Sequence, residues 1–367
     1  MTTAKAAVLR TAGAAPSIET VTIDAPRADE VLVEMRGVGI CHTDMVMRDG
    51  HLPVPLPVVL GHEGSGVVRA VGSDVSDLVV GDHVVLSFMS CSDCPSCDES
   101  APAYCHAWVP LNFFGARADG STALTDAGGA PVHSHVFGQS SFATHAVVNR
   151  RNAVKVAKDL PIELLGPLGC GIQTGAGAVL NACRVRAGAS VAVIGVGAVG
   201  LSAVMASGIA GAGTIAAIDV NPARLDLAIE LGATHALRSG DDFTALAAEA
   251  GCPAGFDYII DTTGIASLVN AGILALAPRG EIALVGAYAP GTEVRADTTH
   301  IMSAGRVIRG VVEGSANPQG FIPELIEYHR AGRFPFDRLV EWFRFDEISE
   351  AFAAAESGRV VKPILRF

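Results

Sequence analysis

Residues 190–200 read SVAVIGVGAVG, a run of strand character that leads straight into glycines 195, 197 and 200. Residues 198–211 then have helical patterning, and TIAAID (214–219) supplies a second apolar strand closed by Asp219. A lone G-x-G-x-x-G carries little weight. Placed after a strand, at the opening of a helix and about 20 residues before an acid ending the next strand, it is the full dinucleotide-binding fingerprint. Gly195 permits the tight turn, Gly197 lets a pyrophosphate approach the backbone, and Gly200 lets the helix pack closely. The unpaired amides of the helix start then face the phosphates. Asp219 is placed to take both ribose hydroxyls and repel a 2′-phosphate, which favours NAD over NADP. The competing reading is a glycine-rich helix–sheet contact that binds nothing.

Outward from this stretch the same alternation continues. Strand-like HAL, FDYII and EIALV are interleaved with helical patterns at 222–231, 242–250 and 266–276. That order predicts an α/β fold with a doubly wound parallel sheet. The first 150 residues differ: short β-like runs (30–40, 65–72, 82–88) broken by glycine, proline and aspartate predict a mostly-β domain with long loops. Beyond residue 310, ELIEYHRAG, DEISEAFAAAESG and a final VVKPILRF are too short for a domain and should complete one of the other two. GSTALTDAGGAPVHSH (120–135) reads as a surface excursion.

Composition narrows the class. Of 367 residues half are hydrophobic and 17% charged, which suits a buried two-domain enzyme. A net charge of −12 argues against nucleic acid as a partner. No charged residue lies between Arg186 and Asp219, a length that could span a membrane. Seven glycines in those 32 positions break it into strand, turn, helix and strand instead. MTTAKAAVLR lacks a secretory pattern, so a cytoplasmic protein is expected, and its eight cysteines favour thiolate metal ligands over disulfides.

CSDCPSCDESAPAYC places Cys91, Cys94, Cys97 and Cys105 within fifteen residues, spacing that brings four thiolates onto one tetrahedral ion. Four sulfurs leave no position for substrate, so this zinc should be structural; disulfides are the alternative. A dispersed group comprises Cys41 in CHTDMV, His62 in GHEGSG and Cys170 in LGCGIQTG. No spacing rule joins them, and spacing alone leaves a buried cysteine and an ordinary core histidine as open as a site.

GHEGSG, the four-cysteine lobe, LGCGIQTGAGA and the glycine fingerprint occur in the order found in zinc-containing medium-chain alcohol dehydrogenases. The resemblance runs nearly end to end. CHTDMV, PVPLPVVLGHEGSG and FGQSSFATHAVV are most similar to the aryl-alcohol (benzyl alcohol) dehydrogenase subgroup. It implies a GroES-like catalytic domain over residues 1–171, a Rossmann NAD-binding domain over 172–311, and a segment 312–367 that completes the catalytic domain, with the active site in the cleft. It implies catalytic zinc on Cys41, His62 and Cys170 with an open fourth position. Asp44 matches the carboxylate that orients the ligand histidine, and Glu63 a group beside the metal. Thr43 would accept the alcohol proton. At the cofactor the resemblance places His42 and Lys362 by the pyrophosphate, Arg224 near the adenosine ribose, and Thr174 and Val199 along the binding path.

The histidine that ends the proton relay in many relatives, five positions after the first cysteine, is here Val46. Protons should then leave through ribose and water. His51 has no motif placing it in the relay. Cys183 and Cys252 match no ligand position and read as core thiols. His133 and His135 have ligand-like spacing but fall on the excursion. Pocket walls are expected near Ser87, Phe88 and Phe137. The implied activity interconverts primary aromatic or allylic alcohols and aldehydes with NAD, in a homodimer or homotetramer that the apolar sheet edge near EIALVGAY could join. A thiol-adduct (formaldehyde-type) dehydrogenase and a non-catalytic NAD-binding protein are the alternatives.

Overall fold

Six strands form the parallel sheet that the alternation predicts. In spatial order they are His235–Arg238, Thr214–Asp219, Ser190–Ile194, Phe256–Asp261, Leu276–Leu284 and Val307–Gly310, all neighbours parallel. The order reverses at Ser190–Ile194, which pairs on both sides, and such a switch point is where an open α/β sheet binds its ligand. Residues Val191 to Ile194 are essentially inaccessible, as expected of a parallel strand covered on both faces. The charge-free stretch is resolved here: it forms two of these strands and the twelve-residue helix Ala198–Ile209, buried from Gly200 to Ser207. Among the described residues, which are 2–240 and 242–367 of this computed structural model, no helix is long and apolar enough to cross a membrane.

The chain divides into two units, one of Met1–Gly171, Asn317–Glu324 and Asp337–Phe367, the other of Ile172–Ala316 and Leu325–Phe336. The sheet just described belongs to the second. The first is mostly β, with a five-stranded and a seven-stranded sheet. Strand Glu30–Gly39 is the hub of the larger one: it pairs antiparallel with Gly64–Val71, His145–Asn149 and Lys362–Arg366. That pairing positions the site. Cys41 follows the end of the hub strand, His62 precedes Gly64–Val71, and Lys362 opens the last strand, so three distant segments end side by side.

Two expectations need correction. Residues 120–135 are not a surface excursion: Leu124–Asp126 and Pro131–Val132 pair with each other, and the first also with Ser17–Ile23, at the edge of the five-stranded sheet. Ala123, Leu124 and Val132 are buried there, so the turn chemistry of DAGG marked a hairpin. Nor is EIALV the sheet edge. Val307–Gly310 pairs outside it, entered through Gly305 in the left-handed conformation (φ +61°) that ends the preceding helix.

Candidate active site and metal centres

The nucleotide loop is built from its glycines. Gly195 has φ +82°, and Gly195 N donates to Ile218 O at 2.8 Å, which locks the turn to the second strand. A Cβ on Gly200 would lie 1.9 Å from Gly195 O, so only glycine lets the helix start this close. A Cβ on Gly197, the N-cap of Ala198–Ile209, would meet nothing within 4 Å, so the backbone is bare where a pyrophosphate would lie. Asp219 accepts from Val196 N and Asn221 N, each at 2.8 Å, which fixes its carboxylate beside the loop. These features fit a dinucleotide. Val199 lies in the helix's first turn. Arg224 is half-buried, with Nε unpartnered among the described residues. Thr174 donates to Glu313 Oε2 at 3.4 Å.

In the first unit the Sγ atoms of Cys91, Cys94, Cys97 and Cys105 all lie within 4.8 Å of one another. Cys91 and Cys97 are 3.9 Å apart, close to the edge of about 3.8 Å that a tetrahedron with metal–sulfur bonds of about 2.3 Å requires, and far beyond a disulfide bond. Backbone amides support the sulfurs: Cys91 N donates to Cys105 Sγ at 3.2 Å and His106 N to Cys94 Sγ at 3.4 Å. Arg151 ties the lobe down through Cys91 O and Ser92 Oγ. The donor set fits zinc with a closed shell.

Cys41 Sγ, His62 and Cys170 Sγ form the second group, again within 4.8 Å. His62 is fully buried, and its Nδ1 donates to Asp44 Oδ1 at 2.9 Å. That bond fixes the tautomer and leaves Nε2 as a lone-pair donor, buried and without a hydrogen bond among the described residues. A buried acceptor with no proton partner beside two sulfurs is the signature of a cation site, and three protein donors match zinc with an open position. Burial opposes charge on His62, yet the Asp44 carboxylate outweighs it and makes the ring more basic. Cys41 is held well below the ordinary thiol range, by Cys170 first and then by His62. Asp44 also accepts from Cys41 N (3.0 Å) and Gly61 N (3.1 Å), so one carboxylate positions two ligands. Thr43 Oγ1 is 4.0 Å from Cys41 Sγ, beside the metal position.

Glu63 and Lys362 meet beside the ligand group. Lys362 Nζ donates to Glu63 Oε1 (2.9 Å), Glu63 Oε2 (2.8 Å) and Ile40 O (3.2 Å), which accounts for all three of its N–H groups. Both side chains are buried. His42 is exposed at the start of helix His42–Arg48. Val46 lies one turn after Thr43 on that helix, hence on the same face. His51 is exposed, its backbone N–H donating to Val46 O at 3.0 Å.

An aromatic wall lies against His62. Phe137 stacks on its ring (centroids 4.4 Å, 21° between planes), and Trp108 and Phe113 meet Phe137 edge-on at 6.2 and 5.2 Å. Phe88 packs on Trp108 at 4.9 Å. Phe137 adopts φ +51°, a strained conformation for an aromatic residue and one that clusters at functional sites. Ser87 turns its hydroxyl to Gly169 O, next to Cys170. Trp108 and Phe113 were not singled out from the sequence; the aromatic run AWVPLNFF after the cysteine lobe was the available signal. His135 proves buried rather than on the surface, bonded to Ser134 Oγ at 2.9 Å, while His133 is half-buried and meets Gly115 O. Cys183 is buried and its thiol pushed up to about 12 by that burial; Cys252 is half-buried, and neither joins a ligand group among the described residues.

Comparison with known proteins agrees with this geometry. Residues 27–158 match the alcohol dehydrogenase GroES-like domain and residues 198–328 the zinc-binding dehydrogenase domain. The chain is 50% identical to geraniol dehydrogenase of Castellaniella defragrans over 368 residues, 99% of this chain and 98% of that protein. An alcohol dehydrogenase zinc-binding domain protein from Burkholderia ambifaria superposes with a TM-score of 0.98 at 53% identity, covering 100% and 99% of the two chains. Benzyl alcohol dehydrogenase from Acinetobacter calcoaceticus superposes with a TM-score of 0.96 at 45% identity, covering both chains completely.

Proposed function

The chain belongs to the zinc-containing medium-chain alcohol dehydrogenases, and from that premise we propose that it interconverts primary allylic or aromatic alcohols and their aldehydes with NAD. The observation that carries the chemistry is the buried Nε2 of His62, aimed with two sulfurs at one point and held there by Asp44. When bound, zinc supplies a Lewis acid for the alcohol hydroxyl and NAD the hydride acceptor. Thr43 takes up the hydroxyl proton, and with Val46 in place of a basic residue the proton passes on to solvent. Asp219 disfavours a 2′-phosphate and sets the preference for NAD.

The substrate class is supported by two relatives, named for an allylic and a benzylic alcohol, and by the aromatic wall of Phe88, Trp108, Phe113 and Phe137. Flat π systems stack on such rings, whereas a short alkyl alcohol leaves them unfilled. We read the protein as a cytoplasmic homo-oligomer; the exposed edge strand Val307–Gly310 supports assembly through the second unit.

The test is kcat/KM across benzyl alcohol, geraniol, cinnamyl alcohol and ethanol, with NAD and without added thiol. Benzyl alcohol and geraniol should exceed ethanol by about 10²-fold or more, since burying a ring or a long unsaturated chain gains several kcal/mol over an ethyl group. Ethanol as the equal substrate, or turnover only of a thiol–formaldehyde adduct, would overturn the reading.

A further inference from the structure

We propose that a cavity in the first unit, separate from the active site, binds a small neutral molecule carrying a carboxamide or hydroxyl group. His135 Nε2 and Asn152 Oδ1 are the atoms that recognise it. The cavity encloses about 220 Å³. An apolar cavity of about 150 Å³ holds benzene, so a ring with one polar substituent fits here. Met89, Leu111 and Ala116 give it an apolar wall. No cysteine and none of the four aromatic rings beside His62 lines it. Met89 and Gly138, the chain neighbours of Phe88 and Phe137, do, which sets the cavity next to the aromatic wall.

Both recognising atoms are left over from an otherwise complete network. His135 is buried, with the Ser134 hydroxyl on its Nδ1 at 2.9 Å. That oxygen already accepts from Ala123 N at 3.1 Å, so the hydroxyl proton goes to Nδ1 and the ring proton sits on Nε2. Nε2 points towards Glu30 Oε1, but at 4.0 Å the two do not bond. Glu30 is not free to close the gap: Arg117 Nε holds Oε1 at 2.6 Å, while Arg117 Nη2 and Arg27 N hold Oε2 at 3.0 and 2.9 Å. Asn152 donates from Nδ2 to Ser87 O at 2.8 Å and Phe137 O at 3.1 Å, which orients the amide and leaves Oδ1 over. Nε2 and Oδ1 are buried without a hydrogen-bond partner among the described residues. One is a donor and the other an acceptor, and each costs stability while unmet. The charged residues around them balance, Arg27, Arg117 and Arg151 against Asp29, Glu30 and Asp119. Asp119 already accepts from Arg27 at 2.8 Å, and Asp29 from Asn149 at 2.6 Å. Burial also keeps the His135 ring uncharged, its pKa pushed down to about 4. A neutral group that both accepts and donates is the match; an anion would set a second acceptor against Oδ1.

Titration calorimetry without NAD tests this, with benzamide and benzyl alcohol as probes and benzoate and toluene as controls. Both probes should bind the parent with Kd on the order of 1 mM, as befits ligands of this size. Toluene, which lacks the polar group, and benzoate, which lacks the donor, should bind at least about tenfold more weakly. Probe binding should persist in Cys170→Ser, which breaks the ligand group of the active site. It should weaken about tenfold or more in His135→Phe, which removes the ring N–H, and in Ala116→Phe, which fills the cavity and leaves His135 and Asn152 in place. Circular dichroism checks that each variant is folded, and the comparison of four compounds on the parent stands without them. Equal binding of toluene would show that the two polar atoms recognise nothing. Tighter binding of benzoate would make this an anion site of the rim arginines. Loss of binding in Cys170→Ser, or full affinity in a folded Ala116→Phe, would put the molecule elsewhere. Failure of both probes to bind would show that Nε2 and Oδ1 meet only water. Each of these results overturns the proposal, and none of them bears on the substrate class proposed above.

Discussion

Asp44 accepts from His62 Nδ1 at 2.9 Å and from Cys41 N at 3.0 Å, so the side chain that orients one metal ligand also anchors the backbone of another. It is wholly buried and takes a third bond from Gly61 N. Asp44→Ala should therefore lower affinity for the catalytic zinc about 10–100-fold while the four-cysteine zinc is retained. Metal content after dialysis against graded chelator measures this directly. Equal loss of both zincs, or of neither, would count against the role given to Asp44.

Cofactor choice should follow Asp219. Both of its oxygens are fixed by amides, Val196 N and Asn221 N, so the carboxylate cannot swing away from an added phosphate. The parent should favour NAD over NADP in kcat/KM by about 10²-fold or more, equivalent to about 3 kcal/mol. Asp219→Ser should narrow that ratio by raising NADP efficiency. Comparable use of both cofactors by the parent would contradict this assignment.

His135 should give the first unit a characteristic acid sensitivity. Burial, and then the Arg117 charge, push its pKa down from 6.5 to about 4. A depressed histidine is neutral in the fold but takes a proton when unfolded, so the unfolded state binds more protons between these values and stability rises with pH. The contribution is fully present above about 6.5 and is lost as pH falls towards 4, about 3 kcal/mol at the extreme. Tm measured from pH 7 to 4.5 should fall more steeply in the parent than in His135→Gln. Parallel profiles would show that His135 does not titrate as its burial requires.

Much of the second unit, and the four-cysteine lobe of the first, was legible because the signals are local. The turn at Gly195, the close approach at Gly200 and the acid at 219 are properties of one strand–helix–strand segment, and the four cysteines lie within one short lobe. The dispersed centre was not legible from spacing. Cys41 and His62 meet because Glu30–Gly39 and Gly64–Val71 pair, Cys170 joins them from the turn after Gly166–Gly169, and no local pattern encodes either approach. Resemblance supplied those ligands; the carboxylate that Lys362 meets, Glu63, lies 299 positions away, beyond the reach of any local pattern. The hairpin at 124–132 was hidden by very short strands, and the edge strand Val307–Gly310 by its lack of an apolar run.

Val46 offers a gain-of-function test. It shares a helix face with Thr43, so a histidine there is placed to receive the proton from the threonine hydroxyl. Val46→His should raise the pre-steady-state NADH burst with benzyl alcohol by up to about 10²-fold above pH ~6.5, where the ring is neutral and can act as a base. Steady-state turnover can hide this gain when cofactor release limits the rate. An unchanged burst in a zinc-replete variant would show that solvent already carries the proton.

The central claim is that one chain holds two zinc ions in different roles, an open centre on Cys41, His62 and Cys170 and a closed one on Cys91, Cys94, Cys97 and Cys105. Zinc per chain, determined with turnover and Tm in the parent, Cys170→Ser and Cys97→Ser, tests it most directly. The parent should bind about two zincs. Cys170→Ser should retain about one, keep its Tm within a few degrees and lose turnover; Cys97→Ser should lose stability or fail to assemble, because metal binding in a closed site is coupled to folding. A parent with about one zinc, or two variants alike in metal content, activity and Tm, would contradict the assignment.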